Sequence, residues 1–401
     1  MKKSLFIVAF SFALSFTSFT AFTAFAQKWV GTWTTAMQLV EPHNLAPEPG
    51  LSGNSIREIV QVSVGGDKIR VKFSNEHGKS PLNIKAVEIA VATSSGSSAD
   101  IKVGTMKSLK FKGKAGVTIE AGKMVASDAI DFKLRNRENV AITIHYGECD
   151  NKIVTGHPGS RTTSYLVEGN GSDFSKAKKT NHWYTICGID VVGNKNTRAV
   201  AILGNSITDG RGSTTNMQDR WPDNLSRALL DNAKTKDVAM LNLGIGGNCV
   251  LRGGLGPTGA SRFTRDIMQQ EGVKYVIIFE GINDLGSCRN GEQTANALIE
   301  AYKKMIVEAH AKGIKVYGGT ITPFKGNKYH TPDHEAARTK VNTWIRTSGA
   351  FDAVIDFDKM IRDSANPEAL QSKYLYENDW LHPNAEGYKT MGSSIDLKLF
   401  Q

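Results

Sequence analysis

No CxxC pair and no tight cluster of cysteine with histidine occurs in the 401 residues, which argues against a zinc site. HExxH is missing as well. Of nine histidines only His330 and His334 stand at helical ligand spacing, and no carboxylate pattern accompanies them, so loop and helix-surface roles are expected for both. Beyond residue 26 no apolar run is long enough to cross a membrane. The net charge is +10, yet the basic residues are scattered, as at Lys107, Lys110, Lys112 and Lys114, without the interleaved aromatics of a nucleic-acid surface. Solvated strand faces are the simpler reading, with an attraction for acidic polymers as a further consequence. There are no internal repeats, and the composition is that of a folded globular protein.

The chain opens with Lys2 and Lys3, then an uncharged, hydroxyl-rich apolar stretch from Leu5 to Ala26 that ends Ala24-Phe25-Ala26. This is the pattern of a cleaved signal peptide, residues 1–26, with Gln27 as the new N-terminus. The alternative is an uncleaved anchor. Export implies a secreted or periplasmic protein in an oxidising compartment. The four cysteines, Cys149, Cys187, Cys249 and Cys288, then allow three pairings. Pairing within each half, Cys149 with Cys187 and Cys249 with Cys288, is the simplest, and four free thiols is the alternative.

Two halves read differently. Residues 27–193 alternate in short runs broken by Gly, Ser, Asn and Asp, with no helical period. Ile59 to Val64, Gly65-Gly66-Asp67 and Lys68 to Phe73 read as strand, tight turn and strand, and Val87 to Ala92, Val117 to Ile119 and Val140 to His145 continue the theme. A β-sandwich is expected. Residues 194–401 instead alternate strand and helix about five times. Strands are expected near 199–203, 238–243, 274–279, 314–321 and 353–355. Helices are expected near 219–230, 261–270, 292–312, 333–347 and 384–399. That is an α/β layer domain on a parallel sheet. Gly169 to Asn181 reads as a loop.

Sites in such sheets gather beyond the carboxyl ends of the strands. The first strand runs into Gly204-Asn205-Ser206-Ile207-Thr208-Asp209-Gly210, where Ser206 is either an exposed nucleophile or a helix cap. Gly244-Ile245-Gly246-Gly247-Asn248 follows the second, offering backbone N–H donors or simply a turn. Glu280-Gly281-Ile282-Asn283-Asp284 follows the third, with Asn283 as a side-chain donor or an Asx-turn. Near the end, Asp379 precedes His382 by three residues, close enough to orient an imidazole. A Gly-x-Ser-x-Gly elbow is excluded by Thr208. Gly254 to Gly259 fits GxGxxG, but it follows a loop and contains Pro257, so no nucleotide site is expected.

In this order the four blocks resemble the SGNH (GDSL-type) hydrolase superfamily, which contributes a Ser, a Gly, an Asn and a His. Gly210 to Thr215, Arg220-Trp221-Pro222 and the opening Trp29-Val30-Gly31-Thr32-Trp33 look like a secreted bacterial branch with an N-terminal β-domain. The resemblance implies an SGNH-type three-layer α/β/α domain and a Ser206–His382–Asp379 triad. It also implies an oxyanion hole from Ser206, Gly247 and Asn283, with no metal or cofactor. The sequence departs from the family where Asn205 stands in place of Asp. Asn keeps the shape and loses the charge, so activity is expected to be tuned rather than lost. The expected function is ester hydrolysis through an acyl-enzyme, with acetylated extracellular glycans as the leading substrate class. A short-chain carboxylesterase or lipase, or a glycan-binding protein with a weakened hydrolase domain, are the alternatives.

Overall fold

The computed structural model describes residues 28–401; the signal-peptide segment and Gln27 lie outside the described residues. The N-terminal half is built from antiparallel strands. One sheet places Trp29–Thr34 beside Ile186–Val192, and the latter beside Gly66–Ser74. The first strand of this half is therefore paired with its last. A second sheet runs in the order Lys178–Thr180, Ser164–Val167, Ser55–Gln61, Asn139–Tyr146, Leu82–Val91, Lys107–Ser108. A small third sheet joins Trp183–Tyr184, Thr155–His157 and Gln38–Leu39.

Two sequence expectations change here. The run 59–64, Gly65-Gly66-Asp67, 68–73 is not a hairpin, because Ser55–Gln61 belongs to the second sheet and Gly66–Ser74 to the first. Residues 62–65 cross between sheets instead, held by Val62 N–H on Glu138 O and Ser63 N–H on Thr32 O. Gly65 is needed for close approach: a Cβ there would lie 2.2 Å from the carbonyl oxygen of Leu134. The stretch 169–181 is not all loop either, since Lys178–Thr180 pairs with Ser164, Tyr165 and Leu166 at a sheet edge.

The C-terminal half is an α/β fold on a five-stranded sheet, every pair parallel. Its order is Val238–Gly244, Arg198–Gly204, Val273–Phe279, Lys315–Gly319, Ala353–Ile355. The inner strand Arg198–Gly204 is buried on both faces, which is why it reads as an unbroken apolar run. Helices cover the sheet at Trp221–Asp231, Gly291–His310, Pro332–Thr347 and Ala385–Ser393. The helix expected at 261–270 is irregular: an α-turn over Gly259–Arg262 widens into a π-turn over Phe263–Met268. The widening follows a wholly buried Arg262, whose guanidinium donates to the carbonyls of Leu243 and Gly204 at two strand ends. The last helix stops at Ser393, short of the expected 399.

One apolar core is continuous through both halves. Val30 packs against Gly272 and Leu241 against Gly31. Gly31 N–H donates to Glu271 O at 3.0 Å, Met240 N–H to Ser63 Oγ at 3.0 Å, and Arg70 pairs with Glu271 at 2.7 Å. All four cysteines are free thiols, so neither expected bridge is made. Cys149 lies beside Ser52, whereas Cys187 is packed on the Ile186–Val192 strand near Lys72 and Asp266. The Cys288 Sγ–H donates to its own helix carbonyl at Leu285. Burial pushes the Cys187 and Cys249 thiols up to about 12, which keeps them protonated and unreactive.

Candidate active site

The Arg198–Gly204 strand ends at Gly204, Asn205 caps a single helical turn, Ser206–Asp209, and Ser206 is its first residue. The Asn205 side chain accepts the Ile207 N–H at 3.0 Å, holding the turn. The neighbouring strand fits against it closely, since a Cβ on Gly244 would come within 2.4 Å of Asp209 N.

Ser206 Oγ lies 2.7 Å from His382 Nε2, and His382 Nδ1 lies 2.6 Å from Asp379 Oδ2. The other Asp379 oxygen accepts the backbone N–H groups of His382 at 2.8 Å and Leu381 at 2.9 Å. Burial pushes the Asp379 carboxyl up, but the hydrogen bonds from His382 and Leu381 outweigh it and hold the group below its usual range. An ionised Asp379 only accepts, so Nδ1 carries the imidazole proton and Nε2 is left to accept from the Ser206 hydroxyl. Burial lowers the His382 pKa further than Asp379 raises it, and the positive charges of Arg211 and Arg161 add to the lowering.

Ser206, Gly247, Asn283, Asp379 and His382 all line one cleft of about 610 Å³. The Ser206 and Gly247 N–H groups have no acceptor among the described residues. The Asn283 amide is oriented from both ends: Nδ2 donates to Asn248 O at 2.8 Å, and Tyr329 OH donates to Oδ1 at 3.1 Å. One amide hydrogen remains to face the cleft. A proton-accepting base behind a hydroxyl, with three nearby N–H donors, is equipped for nucleophilic attack on a carbonyl.

Asn205 answers to a second buried group. Its Nδ2 donates to Glu280 Oε2 at 3.3 Å. Burial pushes the Glu280 carboxyl up to about 8, against the pull of Arg262. An Asp at 205 would set a carboxylate against a carboxyl; the amide supplies a donor instead. Among the described residues no cluster of three or more His, Cys, Asp or Glu has metal-binding geometry. His334 is spent on the carbonyls of Tyr329 and Cys288, and His330 on Glu368. Leu255, within the Gly254 to Gly259 stretch, lines the cleft, with its N–H on Gly247 O.

The sequence reading had no role for His157, Arg161, Asp209, Arg220 or Tyr329. His157 comes from the third β-sheet. Its ring nitrogens face two acceptors, Ala36 O and Asp209 Oδ1, each at 2.8 Å. The ring thus links Ala36 to the far end of the Ser206 turn, stacked on Trp183. Arg220 ties the Asp209 carbonyl to that of Ser160 across the same boundary. Asp209 and Arg220 stand inside motifs that the sequence displays; Tyr329 and His157 carry no local signal.

Residues 202–390 match the GDSL-like Lipase/Acylhydrolase family. Among solved structures, a GDSL-like lipase from Bacteroides thetaiotaomicron is similar at 21% identity and TM-score 0.36, over 50% of this chain and 85% of that one. A member of the lipolytic G-D-S-L family from Veillonella parvula is similar at 17% and 0.35, over 49% and 94%. A carbohydrate acetylesterase from Sinorhizobium meliloti is similar at 15% and 0.37, over 51% and 98%. Among curated proteins none matches the chain.

Proposed function

We propose that this GDSL-type domain belongs to a secreted serine esterase that removes short acyl groups, acetyl above all, from a polar, glycan-type alcohol. In this reading Ser206 is the nucleophile, His382 the general base and Asp379 its partner. Ser206 N–H, Gly247 N–H and the Asn283 amide form the oxyanion hole. His382 takes the hydroxyl proton as Ser206 attacks the ester carbonyl, then returns it to the leaving alcohol. Water activated by the same imidazole releases the acid. Residues 27–193 form a β-sandwich domain that supplies one wall of the cleft, and 194–401 the hydrolase domain, after a signal peptide over 1–26.

The observation that carries this reading is the hydrogen-bond relay from Ser206 Oγ through His382 to Asp379, at 2.7 and 2.6 Å. The short, polar acyl preference is supported by the lining of the cleft, where Pro158, Leu255 and Leu381 are the apolar aliphatic contributions amid charged and amide side chains. A long acyl chain would find only those three aliphatic side chains to lie against.

Turnover of 4-nitrophenyl acetate by the full chain is expected, with a loss of about 10³-fold or more in kcat for Ser206→Ala. Undiminished turnover in that variant rejects the nucleophile. Rates that rise with acyl length would favour a lipase, and glycan binding with no ester turnover would favour a binding protein.

A further inference from the structure

The cleft holds two guanidinium groups that its own side chains leave without a hydrogen bond. Arg161 reaches in from the N-terminal half, on a backbone with φ +51° that non-glycine residues rarely adopt. Its guanidinium makes no hydrogen bond to any described residue, and its Nε is buried without a partner. The nearest carboxylate oxygen, Asp209 Oδ2, is 3.6 Å away, and the other Asp209 oxygen is already held by His157. Arg211, five residues past Ser206, is exposed, with no hydrogen bond or ion pair from its guanidinium among the described residues. The carboxylates of the cleft are engaged elsewhere: Asp379 by His382, and Glu41 by the amides of Gln38 at 2.6 Å and Asn44 at 3.0 Å.

These two guanidinium groups act on His382, whose affinity for a proton they reduce. In the esterase reading His382 must become an imidazolium in the transition state. Cations beside it, Arg161 answered only by Asp209 at 3.6 Å and Arg211 by no carboxylate, oppose that step. A negative charge brought by the substrate would remove the opposition and also find two forks of N–H donors shaped for a carboxylate.

We infer that Arg161 and Arg211 form a carboxylate-binding subsite, and that the ester hydrolysed here is an O-acylated sugar acid or similar hydroxy acid, its carboxylate close to the scissile group. The inference rests on the esterase reading. It also gives the N-terminal half a part in substrate choice, because Arg161 belongs to that half.

The test compares methyl 3-O-acetyl-glucuronoside with its neutral 6-methyl ester on the full chain, by acetate release. The free acid is expected to be preferred at least about tenfold in kcat/KM, the factor of one charge-assisted hydrogen bond. The preference should shrink as salt is raised. The acid-to-ester ratio should fall in Arg161→Gln and in Arg211→Gln, and approach one in the double variant. A merely structural role for Arg161 beside Asp209 would lower both rates and leave the ratio alone. Calorimetric binding of the two compounds to Ser206→Ala protein gives the same comparison without turnover. Equal handling of acid and ester, or a preference that survives the double substitution, overturns the subsite. If 4-nitrophenyl acetate is hydrolysed and the acid and ester are not told apart, the esterase reading stands and the subsite falls. If the wild type turns over none of the three esters, both fall.

Discussion

At the scale of single residues, protonation decides what the site can do. His382 is buried and flanked by two arginines, so its pKa lies below the ordinary 6.5. A general base must be neutral, so the acid limb of kcat/KM for a neutral ester is expected to have its midpoint below pH 6.5. Arg211→Gln removes a positive charge that disfavours the imidazolium, and should move that midpoint upward. A pH–rate profile of both proteins checks the sign; a midpoint unmoved or lowered in the variant would show that Arg211 does not act on the imidazole. Glu280 makes a second prediction. The fold keeps its proton up to about pH 8, while the unfolded chain releases it near 4.5. Between those values the folded protein binds more protons, so stability falls as pH rises and levels off above about 8. Glu280→Gln should flatten part of that slope, by roughly 3 kcal/mol between pH 5 and 8. Asp284, raised to about 6, retains the remainder. Urea unfolding at the two pH values measures it, and equal slopes would contradict the buried, protonated state.

The elements explain why some of this was legible in the sequence and some was not. Ser206, Gly247, Asn283 and His382 each follow the end of a strand or precede a helix, and such positions announce themselves by local composition. The Arg198–Gly204 strand could be placed because burial on both faces demands an unbroken apolar run. The split between Ser55–Gln61 and Gly66–Ser74 could not, because alternation fixes which face a residue shows and says nothing about which sheet it joins. The π-turn at Phe263–Met268 has its cause in strand-end carbonyls far away in sequence. His157 is the clearest case: a histidine in a three-residue strand, whose partner lies 52 positions on in another half of the molecule. His157→Ala would leave the buried Asp209 carboxylate without its hydrogen-bond partner, with Arg161 at 3.6 Å as its remaining ion pair. A loss of roughly 3–5 kcal/mol is expected, with a fall in kcat larger than any change in KM. His157→Gln keeps one donor and should recover part of both. Thermal melts and steady-state rates on the two variants separate this from a bystander role, which would leave kcat unchanged.

For the whole molecule, the shared core matters more than the boundary near residue 193. Val30 and Leu241 bury each other's neighbours, and the Trp29–Thr34 strand is hydrogen-bonded to the hydrolase half through Glu271. Calorimetry is therefore expected to show one unfolding transition for the full chain, with calorimetric and van't Hoff enthalpies in agreement. Two resolved transitions would mean that the halves melt independently. The change of period near 194 falls between the Ile186–Val192 strand and the parallel strand Arg198–Gly204, and it conceals how far the two architectures lean on each other.

The pairing of the Trp29–Thr34 strand with Ile186–Val192 has a consequence for biosynthesis. A polypeptide emerging in order offers its opening strand long before its mate exists, and more than 150 residues must be made before that edge can close. The mate ends only a few positions ahead of the strand that leads to Ser206. All strands of the N-terminal half are thus in hand just as the second half begins to be made, yet Val30 and Gly31 meet Leu241, Glu271 and Gly272 only later, so the platform and the serine turn it supports are finished together.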